Sequence, residues 1–236
     1  MDRHTVSGYD EDLMVLNRRI AQMGGLAEQL LAQAFEALAA RDPQRANVVV
    51  ERDVEIDELQ RALESQVVQL IARRQPMADD LRQIMAAMRI ASDLERIGDL
   101  AKNIAKRAAA IADQQYPRQL VSGIQHMVEL AQLQLKNVLD AYLERDAELA
   151  LTVWRDDERI DATYNSVFRE LQTYMMEDPR NIGHCTHLLF GAKNIERIGD
   201  HTTNIAETVY FYVTGETLPD QRPKADTTSS TLVQAS

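Results

Sequence analysis

The chain has few of the residues that form disulfides or interrupt helices. It contains one cysteine, Cys185, so no disulfide can form within it. Glycine and proline are also scarce, at nine and six of 236 residues, whereas Ala, Leu, Gln, Glu and Arg are abundant. This bias favours helix. No segment alternates apolar and polar residues at period two for long enough to indicate a sheet.

An excess of positive charge is missing as well. The formal net charge of −11 argues against a nucleic-acid backbone as the main partner, and against purely electrostatic binding to anionic lipid. No apolar run approaches the roughly 18 residues needed to span a bilayer. The first residues lack the basic-then-apolar order of a secretory signal. We therefore expect a cytoplasmic protein that reaches a membrane only through its partners.

Apolar residues instead recur every three or four positions, which indicates long amphipathic helices. In the first half, the pattern predicts helices over about 9–40, from Asp42-Pro43 to about Arg74, and from about Ala78 to about Gln115. In the second half, it predicts helices over about 118–143, from Arg145-Asp146 to about Met176, and from Pro179 to about Val213.

Short motifs repeat in register between these halves. D-x-x-I-D occurs at 53–57 and 157–161, and E-R-I-G-D occurs at 95–99 and 196–200. Such recurrence indicates an internal duplication. We predict an all-α fold of two tandem three-helix bundles, over residues 9–115 and 118–213. The tail, 215–236, is rich in Thr, Ser, Pro and charge and is expected to be disordered.

The duplicated motifs place carboxylates four residues apart, on one face of a helix. The pairs are Asp53 with Asp57, Glu95 with Asp99, Asp157 with Asp161, and Glu196 with Asp200. Converging carboxylates repel one another and favour a hard cation with oxygen ligands, such as Mg²⁺, Mn²⁺ or iron. Asn103 and Asn204, one turn further on, could supply a carbonyl ligand or orient a carboxylate. The alternative is a solvated acidic face paired with Arg52, Arg96 and Arg197.

Each E-R-I-G-D motif also carries a glycine within a predicted helix, Gly98 and Gly199. A glycine in a helix interior costs about 1 kcal/mol relative to alanine. Two explanations remain open: close approach of a neighbouring helix, or access for a ligand to the adjacent carboxylates.

Other metal and nucleotide motifs are weak or missing. His184-Cys185-Thr186-His187 has no second Cys or His pair at zinc spacing, so a structural zinc site is disfavoured. His201 follows Asp200 and is either a peripheral ligand or a surface histidine. G-x-x-x-x-G-K-[ST], G-x-G-x-x-G and G-x-S-x-G do not occur, so nucleotide binding and hydrolase chemistry lack support.

The two E-R-I-G-D motifs, each followed by an asparagine and preceded by D-x-x-I-D, resemble the PhoU family of phosphate-transport accessory proteins. The likeness spans about Asp12 to Gly215 and includes L-Q-T-Y-M-M-E-D-P-R at 171–180. It implies a cytoplasmic, usually dimeric protein that restrains the phosphate-starvation response when phosphate is plentiful. The expected partners are the ATPase subunit of the phosphate transporter and a phosphate-sensing histidine kinase. The resemblance also implies that the eight acids bind Mg, Mn, Fe or Zn, as in some family members.

Two other functions fit parts of the pattern. A carboxylate-bridged di-metal helical-bundle enzyme also uses inward acids, but such sites need Glu-x-x-His pairs. No histidine of the chain has Glu three residues before it. A structural coiled-coil tether would suit the heptads of the first helix, yet it leaves the duplicated acids and glycines without a purpose. We therefore expect a regulator that is not an enzyme.

Overall fold

The computed structural model describes residues 3–219, which form seven α-helices and no strand. The helices are α1 (Arg3–Ala40), α2 (Pro43–Arg74), α3 (Asp79–Ala110), α4 (Gln119–Glu144), α5 (Ala147–Arg155), α6 (Glu158–Glu177) and α7 (Ile182–Thr214), with a 3₁₀ turn at Pro179–Asn181. This confirms the predicted all-α class. Over residues 3–219, none of the helices is long and apolar enough to cross a membrane.

The helices pack as two units that share one core. Helices α1, α2 and α3 pack on one another, and α4, α5 and α6 pack against α7. The two units meet mainly where α3 lies along α7, with a smaller contact between α1 and α4. Since α3 and α7 each carry an E-R-I-G-D motif, the duplicated motifs lie on the two helices that join the halves. Their buried apolar side chains form a single cluster.

The middle helix of the second unit differs from the prediction. One continuous helix to about Met176 was expected, but Asp156 and Asp157 divide it into α5 and α6. Here the Arg159 N–H donates to the Asp156 carbonyl at 3.2 Å and the Ile160 N–H to the Asp157 carbonyl at 3.0 Å. These i to i−3 bonds form a tighter turn than an α-helix. Two consecutive aspartates favour such an interruption because their side chains compete for backbone hydrogen bonds.

Helix limits elsewhere lie within a few residues of the prediction, except that α1 begins earlier, at Arg3, and α3 ends earlier, at Ala110. Tyr116 and Pro117 lie in the connection between the units. Of the tail expected to be disordered, residues 215–219 follow α7 without regular structure. The rest of it lies outside the described residues.

The duplication extends to how the middle helices begin. Asp42 caps α2 by accepting from the backbone N–H groups of Gln44 at 2.9 Å and Arg45 at 3.1 Å. Asp146 caps α5 in the same way, at 3.0 and 2.9 Å. An aspartate cap contributes about 1 kcal/mol to helix stability. Asp42 and Asp146 therefore cap the middle helices of the two repeats in the same way.

The two motif glycines lie where the helices of a repeat approach closely. A Cβ atom on Gly98 would lie 2.9 Å from Cγ2 of Ile56 and 3.6 Å from Oδ1 of Asp53. On Gly199 it would lie 3.1 Å from Cδ1 of Ile160 and 3.3 Å from Oδ1 of Asp157. Close helix approach thus explains both glycines, and each also has a carboxylate of the middle helix beside it.

We predict that Gly98→Ala lowers the free energy of unfolding by about 1–3 kcal/mol, because the added methyl group displaces the branched Ile56 side chain. Gly25→Ala is the matched control, since a Cβ there meets no atom within 4 Å and should stabilise α1 by up to about 1 kcal/mol. Urea unfolding measures both changes. An unfolding midpoint raised equally by the two substitutions would contradict this account of Gly98.

Candidate functional site

The eight predicted acids occupy matching places in the two repeats. In the first, Asp53 and Asp57 lie on α2 and Glu95 and Asp99 on α3; we call these four the first acid cluster. In the second, Asp157 precedes α6, Asp161 lies on it, and Glu196 and Asp200 lie on α7; these form the second acid cluster. Each cluster therefore spans the contact between the middle and last helices of its repeat.

The second acid cluster is the more deeply buried. The exposed fractions of Asp157, Asp161 and Glu196 are 1, 4 and 6%. In the first acid cluster only Asp53, at 4%, is comparably buried. Buried carboxylates are costly unless they are paired or hydrogen-bonded. The partners of these side chains therefore decide the chemistry of each cluster.

A lysine that the sequence pattern did not single out lies inside the first acid cluster. The Lys102 ammonium group donates to Oδ2 of Asp53 and Oδ1 of Asp99, each at 2.5 Å. Burial alone would lower the pKa of Lys102, but its hydrogen bonds to Asp53 and Asp99 outweigh burial and raise that pKa. The ammonium group therefore stays charged and joins α2 to α3.

The other acids of this cluster are only partly neutralised. Arg96 Nη1 lies 3.3 Å from Oδ2 of Asp99, and Arg96 Nε lies 3.4 Å from Oε2 of Glu95. Burial raises the pKa of Asp53, an effect that Lys102 opposes, and burial likewise raises the pKa of Glu95. Oδ1 of Asp53 and Oε2 of Glu95 are buried and accept no hydrogen bond.

The second acid cluster has different polar neighbours. Thr203 follows Gly199 by four residues, as Lys102 follows Gly98. Its hydroxyl lies 3.2 Å from Oδ1 of Asp157. Lys193 donates to Oε1 of Glu196 at 2.8 Å. Burial raises the pKa of Glu196 to about 7. The nearby carboxylates of Asp200 and Asp161 add to this effect, and Lys193 opposes it. Oε2 of Glu196 is buried and accepts no hydrogen bond.

The residue types fit a bound cation. Three buried carboxylate oxygens, on Asp53, Glu95 and Glu196, accept no hydrogen bond, although that of Glu95 lies 3.4 Å from Arg96 Nε. A divalent ion would satisfy such acceptors. Over residues 3–219, however, no three His, Cys, Asp or Glu side chains are already grouped so that they could hold a metal ion. Metal binding at the eight acids stays a prediction, and it requires side chains to move.

The remaining residues singled out from the sequence have varied surroundings. Asn103 and Asn204 are exposed. Arg52 pairs with Glu55 at 3.2 Å and not with an acid of the first acid cluster. Arg96 does pair with acids of that cluster, as the alternative of a solvated acidic face expected.

The histidines join different parts of the fold. Nδ1 of His201 lies 2.9 Å from Oδ1 of Asp93 and so joins α7 to α3. His184 is buried and stacks on Tyr116, with ring centroids 5.6 Å apart.

Lys102, Lys193 and Thr203 were the residues that sequence reasoning missed. Lys102 follows Asp99 by three residues and Lys193 precedes Glu196 by three, a spacing that favours ion pairs on one helix face. That signal was available in the sequence. The second contact of Lys102, to Asp53 on another helix, depends on how α2 packs against α3 and has no local signature.

Comparison with known proteins identifies the family. The PhoU domain model matches residues 20–108 and again 124–209. The chain belongs to the PhoU family. A PhoU homolog from Rhizobium meliloti (strain 1021), named a phosphate-specific transport system accessory protein, is 55% identical over 227 residues, 96% of each chain. A PhoU homolog of the same name from Caulobacter vibrioides (strain NA1000 / CB15N) is 51% identical over 229 residues, 97% of this chain and 100% of that one.

Solved PhoU structures share the fold. The crystal structure of PhoU from Pseudomonas aeruginosa has a TM-score of 0.84 at 37% identity and covers 88% of this chain and 100% of its own. The crystal structure of the phosphate transport system regulatory protein PhoU from Streptococcus pneumoniae has a TM-score of 0.81 at 30% identity. It covers 89% of this chain and 99% of its own. The resemblance inferred from the paired motifs is therefore confirmed. PhoU is a family of accessory and regulatory proteins, consistent with a non-enzymatic role.

We predict that Glu196→Gln stabilises the protein increasingly as the pH rises. Because the folded-state pKa of Glu196, about 7, exceeds the ordinary value of 4.5, its proton contributes stability that is complete below pH 4.5 and lost as the pH rises to about 7. Glutamine, which cannot ionise, avoids that loss. Urea unfolding in EDTA should show the advantage of Glu196→Gln growing by about 1–2 kcal/mol between about pH 5.5 and pH 8.

Glu95→Gln, at the equivalent place in the first repeat, is the matched control. The Glu95 side chain is more exposed, at 15% against 6% for Glu196, so its pH-dependent gain should be smaller. An advantage of Glu196→Gln that does not change with pH would show that Glu196 is ionised in the folded protein throughout this range.

Proposed function

We propose that this chain is a negative regulator of phosphate uptake and of the phosphate-starvation response, acting by protein contact and not by catalysis. The observation that carries the proposal is the match to PhoU proteins over nearly the whole chain. Relatives up to 55% identical are named as accessory proteins of phosphate-specific transport, and the Streptococcus pneumoniae structure is named as a regulatory protein of that system.

The contacts that we propose are with the transporter's ATPase subunit and with a phosphate-sensing histidine kinase. The chain would act in the cytoplasm as a homodimer and reach the membrane only through these partners. The exposed helix faces support a role in protein contact. Helix α2 packs mainly on α1 and α3, and Val54 and Val68 on its outer side are 50 and 65% exposed. Long amphipathic faces of this kind are used for helix-mediated recognition.

Deleting the gene tests the regulatory role. In phosphate-rich medium, the deletion should switch on phosphate-scavenging genes and raise phosphate uptake, because the kinase is no longer restrained. A plasmid copy of the wild-type gene should restore repression, whereas the empty plasmid should not. Reporter expression and uptake of labelled phosphate are the measurements. Normal repression in the deletion strain would overturn the proposal.

Recovery of partners tests the contact mechanism separately. Tagged full-length protein, purified from membranes solubilised in mild detergent after growth in ample phosphate, should bring down the transporter ATPase and the kinase. An unrelated tagged acidic helical protein is the control for non-specific capture. Repression that depends on this chain without recovery of either partner would argue for a different route of regulation.

We also propose that the two acid clusters bind Mg, Mn, Fe or Zn through Asp53, Asp57, Glu95 and Asp99 in the first repeat and Asp157, Asp161, Glu196 and Asp200 in the second. The three buried carboxylate oxygens that accept no hydrogen bond support this. A bound cation would neutralise carboxylates contributed by two helices and so hold the middle helix of a repeat against its last helix.

Substitution of one acid per cluster tests the metal proposal. Protein purified without chelators should contain metal by elemental analysis, and the double substitution Asp99→Ala and Asp200→Ala should reduce it, because each cluster loses a ligand. The control is Glu64→Ala with Glu170→Ala, which removes two exposed acids outside the clusters. Equal metal content in the two double variants would assign the acids to a structural role without metal.

A further inference from the structure

Lys102 occupies the position in the first acid cluster that a bridging cation would take. Its Nζ atom contacts carboxylates from two helices, Asp53 on α2 and Asp99 on α3, each at 2.5 Å. The Lys102 side chain is 22% exposed and that of Asp53 only 6%. The ammonium group therefore reaches the inner part of the cluster and neutralises a carboxylate that water barely reaches.

We infer that Lys102 is a tethered counter-ion of the first acid cluster, and that a divalent cation binds between Asp53 and Asp99 only after the lysine withdraws. This rests on the metal-binding part of the proposed function and specifies how it is controlled in one repeat. Two cations cannot share the position because like charges at contact distance repel strongly in a partly buried site. The lysine also competes at a high effective concentration, because it belongs to the same helix as Asp99.

The lysine does not satisfy the whole site. It donates to Oδ2 of Asp53, while Oδ1 of the same carboxylate is buried and accepts no hydrogen bond. That second oxygen lies beside Gly98, 3.6 Å from where a Cβ atom would lie. A buried carboxylate with one oxygen unsatisfied is a ready ligand for a cation that can use both oxygens.

The second repeat supplies an internal comparison. Its residue at the position of Lys102 is the neutral Thr203, whose hydroxyl lies near Asp157. On α7, Lys193 contacts Glu196 from the preceding turn of the helix. The duplicated helices thus differ in charge at the position that contacts the buried aspartate of the middle helix. Lys102→Thr makes that position alike in the two repeats.

Mn²⁺ binding to the full-length chain tests the inference. Equilibrium dialysis with elemental analysis should find about one more Mn²⁺ per chain for Lys102→Met and Lys102→Thr than for the wild type, at Mn²⁺ concentrations that leave the wild-type site occupied by lysine. Lys106→Met, which removes an exposed lysine one turn further along α3, should bind as the wild type does. Equal Mn²⁺ binding by all four proteins would overturn the inference.

The outcomes separate this inference from the broader proposals. If Asp99→Ala with Asp200→Ala reduces wild-type Mn²⁺ binding but the Lys102 variants bind no more than the wild type, metal binding stands and the role of Lys102 fails. If no protein binds Mn²⁺, the inference fails, and elemental analysis of the purified wild-type protein for Mg, Fe and Zn decides the metal proposal. The regulatory proposal is decided in cells by the deletion strain and is independent of either result.

A measurement on the wild-type chain avoids any variant that fails to fold. Reductive methylation followed by peptide mass spectrometry compares the modification rates of Lys102 and Lys106. In EDTA, Lys102 should react more slowly, because Asp53 and Asp99 hold its ammonium group. Saturating Mn²⁺ should raise the rate at Lys102 and leave Lys106 unchanged. A Lys102 rate that does not respond to Mn²⁺, in protein that has bound the ion, would contradict displacement.

Discussion

The close approach of the middle and last helices at Gly98 and Gly199 is the constraint on which the rest of the structure depends. The missing side chains let Ile56 and Ile160 pack directly on the neighbouring helix, and they leave Asp53 and Asp157 beside the two glycines. A carboxylate carried into such a contact loses water that it cannot replace from the apolar residues around it. Each repeat therefore needs a positive charge or a hydrogen-bond donor next to its buried aspartate. Lys102 meets this need at Asp53 in the first repeat, and the Thr203 hydroxyl contributes to it at Asp157 in the second.

The clusters lie on the helices that hold the two halves together. Helices α3 and α7 carry the E-R-I-G-D motifs and form the main contact between the units, which His201 and Asp93 reinforce across 2.9 Å. A change of charge in one cluster therefore acts on a helix that lies at the contact between the two halves. If the chain works by contact and binds a cation as proposed, this arrangement would link ion occupancy in a cluster to the outer face of α2. That link requires the clusters to have two states, which the exchange between Lys102 and a metal ion would supply.

Much of the architecture was readable from the sequence because it follows local rules. Apolar spacing fixed the helices, Asp42 followed by Pro43 marked the start of α2, and five identical residues at 95–99 and 196–200 disclosed the duplication. The break at Asp156-Asp157 was missed because a single turn of tighter hydrogen bonding leaves the apolar spacing almost unchanged. The contact of Lys102 with Asp53 was missed for a different reason. It joins residues 49 positions apart, and only the packing of α2 on α3 brings them together.

The coupling between Asp53 and Lys102 tests most directly whether a buried ion pair at the glycine contact holds the first repeat together. A double-mutant cycle with Asp53→Asn and Lys102→Met, followed by urea unfolding in EDTA, isolates that interaction. A coupling energy above about 1 kcal/mol is expected for a pair that is largely removed from water. The control cycle of Asp53→Asn with Lys106→Met should be additive. Additivity in the first cycle, within about 0.5 kcal/mol, would contradict the account, because the lysine would then not neutralise the buried carboxylate.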